Sequence, residues 1–499
     1  MKQSQRSPLR PIPYIFFLLL LLASCGDTSA DTESASVTEP SDVTPAVTEP
    51  AEPTNEDLVR SQIGTQDFGG ETFRVVSRDA GGAFYGTAGE QENELYFAEE
   101  TGDVLYDAIY RRNVITEELL NIEIEPVWSG SLTEDVTKVI EKNVMAGDDF
   151  ADAIIHRLDF TMNIAAEGYL VNFYDIPTVN LSNNWWDQTI ISNFTMFGDK
   201  LYALCGDIVF YDDYAVQAIF GNTRIMSELD MEIPYQAVRD GTWTFDMFSK
   251  MALEAEADLN GDGKIERETD RVGYINHSDA VLHTVYAFGE RLSKTEEDGT
   301  ITVNYGNDDI IAAVDTISAF IAALSDPVGD GCPALFRAGN VLFFPEMIGG
   351  LSGMREMQDD YCVLPLPKAD ESQKTYTAYV SNGWTTCYSI PMTAPNTSRI
   401  GTVLEVMSAV SADTVTPALY DIMLNEKFVR DAESQEMLSY VWASKAYDLA
   451  GDLAWASDLR SVYQSIASTG KNNYTSSMEK KLKTINKKLD NFLAAFSET

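Results

Sequence analysis

Asp258, Asn260 and Asp262 occupy alternate positions of the stretch DLNGDGKIERETDRVGY, and Gly263 follows the third directly. Alternate side-chain oxygens around a sharp glycine turn suit calcium, a hard cation that gathers oxygens at about 2.3–2.6 Å from several directions. Lys264, at the seventh place of such a loop, offers its carbonyl, and Glu266 fits the ninth. The twelfth place calls for a bidentate Glu but holds Thr269, with Glu268 one residue early and Asp270 one late. Before the loop, Phe248, Met251, Ala252 and Ala255 follow helical spacing behind a cap at Thr242 or Thr244, with Asp246 in the first turn. After it, RVGYIN reads as a strand, so there is no second helix to swing open. The expectation is one calcium held as a structural rivet by Asp258, Asn260, Asp262, the Lys264 carbonyl, Glu266 and Asp270, and not a sensor.

Reactive chemistry is harder to find. The chain has no HExxH and no phosphate-cradling glycine loop, and Gly350-Leu-Ser352-Gly lacks the closing glycine of GxSxG. His156, His277 and His283 are the only histidines and no CxxC is present, so a zinc site is not expected. Cys205, Cys332, Cys362 and Cys387 allow three pairings, among which the sequence does not choose. Aromatic residues are the better clue: Trp185, Trp186, Trp243, Trp384, Trp442 and Trp455, with Tyr211 beside Asp212 and Asp213. Flat rings next to carboxylates suit a sugar, whose faces are apolar and whose edges carry hydroxyl donors. An acid pair for glycoside hydrolysis stays open among so many carboxylates, because their separation does not show in sequence.

The N-terminus addresses location. Lys2, Arg6 and Arg10 precede an apolar run over Ile12–Leu22, the length of a signal core and short of the ~20 residues of a spanning helix. Leu22-Ala23-Ser24-Cys25 resembles a bacterial lipobox, which makes 1–24 a signal peptide and Cys25 the lipidated first residue of the mature chain. From Cys25 to about Gln66 the chain is acidic and rich in Thr and Pro, with VTEP twice. Such a segment buries too little surface to offset chain entropy and is expected as a disordered tether. The formal net charge of −43 disfavours nucleic acid as a partner, since phosphate neutralisation needs clustered cations. One basic cluster, Lys480, Lys481, Lys483, Lys487 and Lys488, lies on an amphipathic C-terminal helix expected to pack on the body.

The elements that must position these residues alternate. ETFRVVSR, IEIEPVW and ADAIIH read as strands, separated by helical periodicity over 101–120 and 132–145, which points to an α/β lobe with a mostly parallel sheet. From about Thr397 the apolar stripes of TVLEVMSAV, TPALYDIML, SQEMLSYVW and LRSVYQSIA are helical.

GDVLYDAIY, NWWDQTI, GDKLYALCGD, GTWTFDMFSKMA before NGDGK, FRAGNVLFFPE, YCVLPLPK and SIPMTAPN occur in that order behind the lipobox and tether. Together they resemble the family 1 extracellular solute-binding lipoproteins of ABC importers, the maltose-binding-like group, over nearly all of 68–499. The resemblance implies a periplasmic-binding-protein-like fold of two α/β lobes joined by crossing segments, a solute between them, most often a carbohydrate, and a permease to receive it. It implies no catalysis; a surface glycoside hydrolase or lyase, a passive surface adhesin and a binder of a non-sugar solute are the alternatives. Lobe one is expected at about 67–210 and 345–388, lobe two at about 211–344 and 389–499. The cleft is expected to draw on Trp185, Trp186, Asp212, Asp213, Glu346, Trp384 and Trp442, with Asp212 and Asp213 after the stretch that resembles the first crossing, Glu346 at the return crossing and Trp384 before the third.

Overall fold

The computed structural model describes residues 53–78, 93–130, 133–296, 299–326, 333–424 and 431–497. The signal segment, Cys25, the tether up to residue 52 and Cys332 lie outside them, and the compact body is Pro53–Thr499.

Glu71–Ser77 is the central strand of the first sheet, with Ile122–Trp128 parallel on one side (Phe73↔Ile124) and Ala153–Arg157 parallel on the other (Val75↔Ala153). Helices Val104–Leu120 and Thr133–Ala146 make the crossovers, so the alternation read from the sequence is the βαβ lobe itself. Thr386–Ser389, from far along the chain, adds an antiparallel edge against Ala153–Arg157 (Cys387↔His156).

The second sheet is centred on Gln217–Asn222, which is buried throughout. Val341–Met347 and Tyr361–Pro365 flank it, both antiparallel (Ala218↔Glu346 and Phe220↔Val363), and Val272–Tyr274 lies parallel beyond Val341–Met347. With its helices, this gives a mixed α/β architecture built on two four-stranded sheets, as expected for a periplasmic-binding-protein-like chain, with two further two-stranded pairs beside them.

Three expectations about boundaries are corrected. Tyr361–Pro365 is a fully buried strand that completes the ladder of Gln217–Asn222, so 345–365 stays with the second sheet and the chain rejoins the first at Thr386. The C-terminal helices do not all follow the second sheet. Thr397–Asp413 packs on Val104–Leu120, where Arg399 donates to Asp152 at 2.5 Å and to the Thr72 carbonyl at 3.3 Å, whereas Ala432–Ala443 packs on Tyr361–Pro365. An apolar stripe states that a helix is covered without stating by what.

The tether also ends earlier than its composition implies. Asn55–Ile63 is a helix started by a capping box, in which the Thr54 hydroxyl accepts from Asp57 N while the Asp57 carboxylate accepts from Thr54 N. Val59 is buried, and Asp413 at the end of Thr397–Asp413 accepts from Asn55 Nδ2 and Glu56 N. One apolar residue and a ready cap suffice once a neighbouring helix supplies the other half of the contact.

Candidate functional site

The strand Val341–Met347 ends in Phe344, Pro345, Glu346 and Met347, and the adjacent strand begins with Gln217. Facing them is the stretch that carries the chain back towards the first sheet, with Tyr379, Ser381 and Trp384. Between them is a cavity of about 190 Å³, closed further by His277, Asp279 and His283 around the start of helix Ala280–Ala287 and by Arg460 of helix Ser457–Thr469. Trp384 is 37 % exposed, a high value for a residue of this size in a folded body.

A charge network forms one wall. Arg460 grips Asp279 in a two-pronged pair, Nε to Oδ1 at 3.0 Å and Nη2 to Oδ2 at 2.6 Å, while its remaining nitrogen reaches Asp452. The other Asp452 oxygen accepts from the Tyr379 and Ser381 hydroxyls, each at 2.7 Å, and from Gly383 N at 3.1 Å. Burial pushes the Asp279 carboxyl up, but Arg460 and the nearby imidazoles outweigh it and hold it at about 2. Burial pushes His283 down to about 4, so it is neutral at pH 7. Its ring stacks on His277, with centroids 6.0 Å apart and planes at 8°. Glu346 is pushed up by burial, opposed by the hydrogen bond it accepts from Met347 N at 2.9 Å. Tyr379 sits so close to the neighbouring turn that a Cβ at Gly451 would overlap its hydroxyl, so glycine is required there.

Glu346 and Trp384 line one cavity, and the other five residues expected at the cleft do not line it. Trp185 and Trp186 are core residues, 1 % and 2 % exposed, whose indole nitrogens donate to the two oxygens of Glu405 at 2.8 and 3.0 Å. Asp212 and Asp213, on the short helix Tyr211–Tyr214, are buried and both paired with Lys445, at 2.8 and 2.5 Å. Asp212 also accepts from the Tyr447 hydroxyl at 3.0 Å. Trp442 stacks on Tyr420, with centroids 4.5 Å apart, and is half-buried away from the cavity. Two adjacent tryptophans or aspartates look alike in sequence whether a solute or an internal partner meets them; here Glu405 accepts from both indoles and Lys445 pairs with both aspartates, while Asp212 Oδ1 is buried without a hydrogen bond. Sequence reasoning missed Arg460, Asp279, Tyr379, His277 and His283. Two of only three histidines in the chain, six residues apart, were the available signal.

The aspartate-rich loop is tightly self-bonded. Asp258 accepts from Gly261 N at 2.6 Å and Gly263 N at 2.8 Å, Asn260 from Asp262 N at 2.8 Å, and Asp262 from Lys264 N at 2.9 Å. Gly261 and Gly263 adopt φ of +79° and +85°, which favours glycine at both. Asp270 departs from its expected place as a ligand: one oxygen accepts from Leu259 N and Asn260 N, the other from Glu266 N and the Thr269 hydroxyl. Those bonds, Glu266 N foremost, lower its pKa and make it the clasp of the loop. Among the described residues, no group of three or more His, Cys, Asp or Glu side chains is gathered as a metal centre.

No family model and no curated protein matches the chain. Solved structures do. A cyclo/maltodextrin-binding protein complexed with maltotetraose aligns over 84 % of this chain and 97 % of its own at TM-score 0.55 and 14 % identity. A sugar transporter from Rhizobium etli in an open conformation aligns over 86 % and 99 % at TM-score 0.53 and 12 % identity. UgpB from Mycobacterium tuberculosis in complex with glycerophosphocholine aligns over 78 % and 95 % at TM-score 0.51 and 14 % identity. The chain thus has the two-lobed fold of the periplasmic-binding-protein class, and the likeness extends over most of the body. No described helix is long and apolar enough to cross a membrane.

Proposed function

We propose that this protein is the solute-binding component of an ABC import system, which captures a carbohydrate without transforming it and passes it to a permease. The observation that carries the reading is the cavity beside Trp384 and Glu346, at the place where the chain passes from the second sheet back to the first. Its wall combines an aromatic face with hydrogen-bonding groups that include Gln217, Ser381 and Glu346, the mixture a hydroxylated ring needs. A lipid on Cys25 would hold the protein at the outer face of the cell membrane, with the acidic segment after it as a spacer. A small polar solute other than a sugar is the second reading, favoured by the Arg460 guanidinium at the cavity and by the structural likeness to a protein solved with glycerophosphocholine.

A screen of oligosaccharides and glycerophosphodiesters by thermal shift identifies the solute class. With the best oligosaccharide, Trp384→Ala is expected to weaken binding by about 1 kcal/mol or more, roughly fivefold, with the melting temperature of the free protein little changed. Unchanged affinity would place the ring outside the contact. Turnover of the oligosaccharide above a heat-killed control would make the protein an enzyme instead.

A calcium ion in the 258–266 loop belongs to the same reading, with Asp258, Asn260, Asp262, the Lys264 carbonyl and Glu266 as its ligands. The spacing and the two left-handed glycines support it. Calcium at a hundredfold excess over its Kd should stabilise a chelator-treated sample by about 2.7 kcal/mol, seen as a higher melting temperature. Solute affinity should stay the same. A melting temperature indifferent to calcium refutes the ion.

A further inference from the structure

We propose that Cys205 and Cys387 form a disulfide that ties together two of the segments linking the sheets. Leu204 and Tyr388 make an isolated antiparallel bridge with both backbone bonds formed, Leu204 N to Tyr388 O and Tyr388 N to Leu204 O, each at 2.9 Å. The next residues, Cys205 and Cys387, therefore face each other as a pair without backbone bonds. In such pairs the Cα atoms approach to about 4.5 Å and the side chains lie closest. That is inside the window of roughly 4.4–6.8 Å that a disulfide accepts. Both are buried free thiols in this structure, Cys205 donating to the Thr386 carbonyl at 3.3 Å and Cys387 to the Thr161 hydroxyl at 3.3 Å and the His156 carbonyl at 3.5 Å, and the Cys387 thiol is, after burial, the next cause that raises the Cys205 thiol. Cys362 is placed differently. It belongs to the second sheet, packed under Gly221 in the strand pair Gly221↔Cys362.

The two residues stand at the roots of two connections. Cys205 precedes Tyr211–Tyr214 and the entry into Gln217–Asn222, and Cys387 follows Trp384 in Thr386–Ser389. A covalent link at this point fixes the first-sheet ends of both connections relative to each other and leaves their second-sheet ends free. It also closes a long loop, the kind of cross-link that restricts the unfolded chain most.

The bond forms by thiol–disulfide exchange with an external disulfide, an oxidoreductase of the export compartment or oxidised glutathione in vitro. The two cysteines lose two protons and two electrons as the S–S bond forms, and the donor disulfide is reduced to two thiols. Because burial raises the Cys205 thiol, little thiolate remains once the body is folded, and the bond is made during folding. The location of that oxidant rests on the proposed export; the pairing itself rests on the geometry alone.

The test uses the full chain refolded in a glutathione redox buffer, blocked with iodoacetamide and digested with trypsin without reduction. Cleavage after Lys200, Arg224, Lys374 and Arg399 isolates Cys205 in peptide 201–224 and Cys387 in peptide 375–399. The expected result is a linked species of these two peptides that separates on reduction. The melting temperature of the oxidised protein should fall on reduction to that of Cys205→Ser and of Cys387→Ser. Recovery of both peptides singly and alkylated, or linked to a peptide carrying Cys332 or Cys362, overturns the proposal. Because no solute enters this experiment, its failure leaves the binding reading standing, and failure to bind any solute leaves the pairing standing.

Discussion

Replacing Lys445 by Met should destabilise the protein by about 3–5 kcal/mol at pH 7–8, as removal of one partner from a buried ion pair does. The ammonium sits between Asp212 and Asp213, both buried, and its loss leaves two carboxylates sharing a desolvated site. Burial pushes Asp213 up to about 6 even with Lys445 present and opposing it. A carboxyl whose folded pKa exceeds its unfolded value binds a proton more tightly when folded, so it favours folding in acid and costs stability as pH rises through that range. Without the lysine the folded value rises further. The deficit of the variant should therefore be largest above pH 7 and shrink as the pH is lowered towards 4. Denaturant unfolding of both proteins at several pH values gives the difference directly. A deficit independent of pH would mean that Lys445 acts through packing and not through its charge.

Glu405→Leu should cost about as much, roughly 3–5 kcal/mol, because a single carboxylate serves four donors. It accepts from the indoles of Trp185 and Trp186, from Asn180 N at 2.5 Å and from Asn183 Nδ2 at 2.9 Å. Burial raises the Glu405 pKa against the pull of all four donors. Leucine cannot accept, so both indoles are left buried and unpaired, while Asn183 Nδ2 keeps its bond to Gln62 Oε1 at 3.0 Å and Asn180 is open to water. The indoles should also report the change through near-ultraviolet circular dichroism. Solute affinity measured below the melting transition should stay close to that of the parent protein, since this cluster lies away from the cavity. A selective loss of affinity in a stable Glu405→Leu protein would return Trp185 and Trp186 to the solute.

These two clusters show where sequence reading stops. The first sheet was legible because its order is local: a β-rich run, a helix-spaced run and another β-rich run fix a parallel crossover with little freedom. The pairing of Tyr361–Pro365 with Gln217–Asn222 was not, because an apolar strand of five residues has no mark that names its neighbour. The same holds for side chains. Trp384 lies in a glycine-containing connection, where a large exposed ring has little core to enter, and it is at the cavity. Trp185 and Trp186 carry the same chemistry, but their fate was decided by Glu405, more than two hundred residues later, and that of Asp212 and Asp213 by Lys445. Arg460 was invisible for the converse reason: one arginine on an amphipathic helix looks like surface until Asp279 and Asp452 are placed around it.

The Arg460 network has a bearing on how the chain can be shortened. One guanidinium joins Asp279 at the start of a second-sheet helix to Asp452, which itself holds Tyr379, Ser381 and Gly383. The wall behind Trp384 is therefore assembled last, from a helix that begins at Ser457 and is held down by the final helix Tyr474–Ser497. A nascent chain released before that point has both sheets and both strands of the cavity floor but leaves Asp279 and Asp452 facing each other without their cation. Synthesis through the helix Ser457–Thr469 is thus a condition for a finished pocket, and a chain cut before Arg460 lacks the cation that joins its two sides.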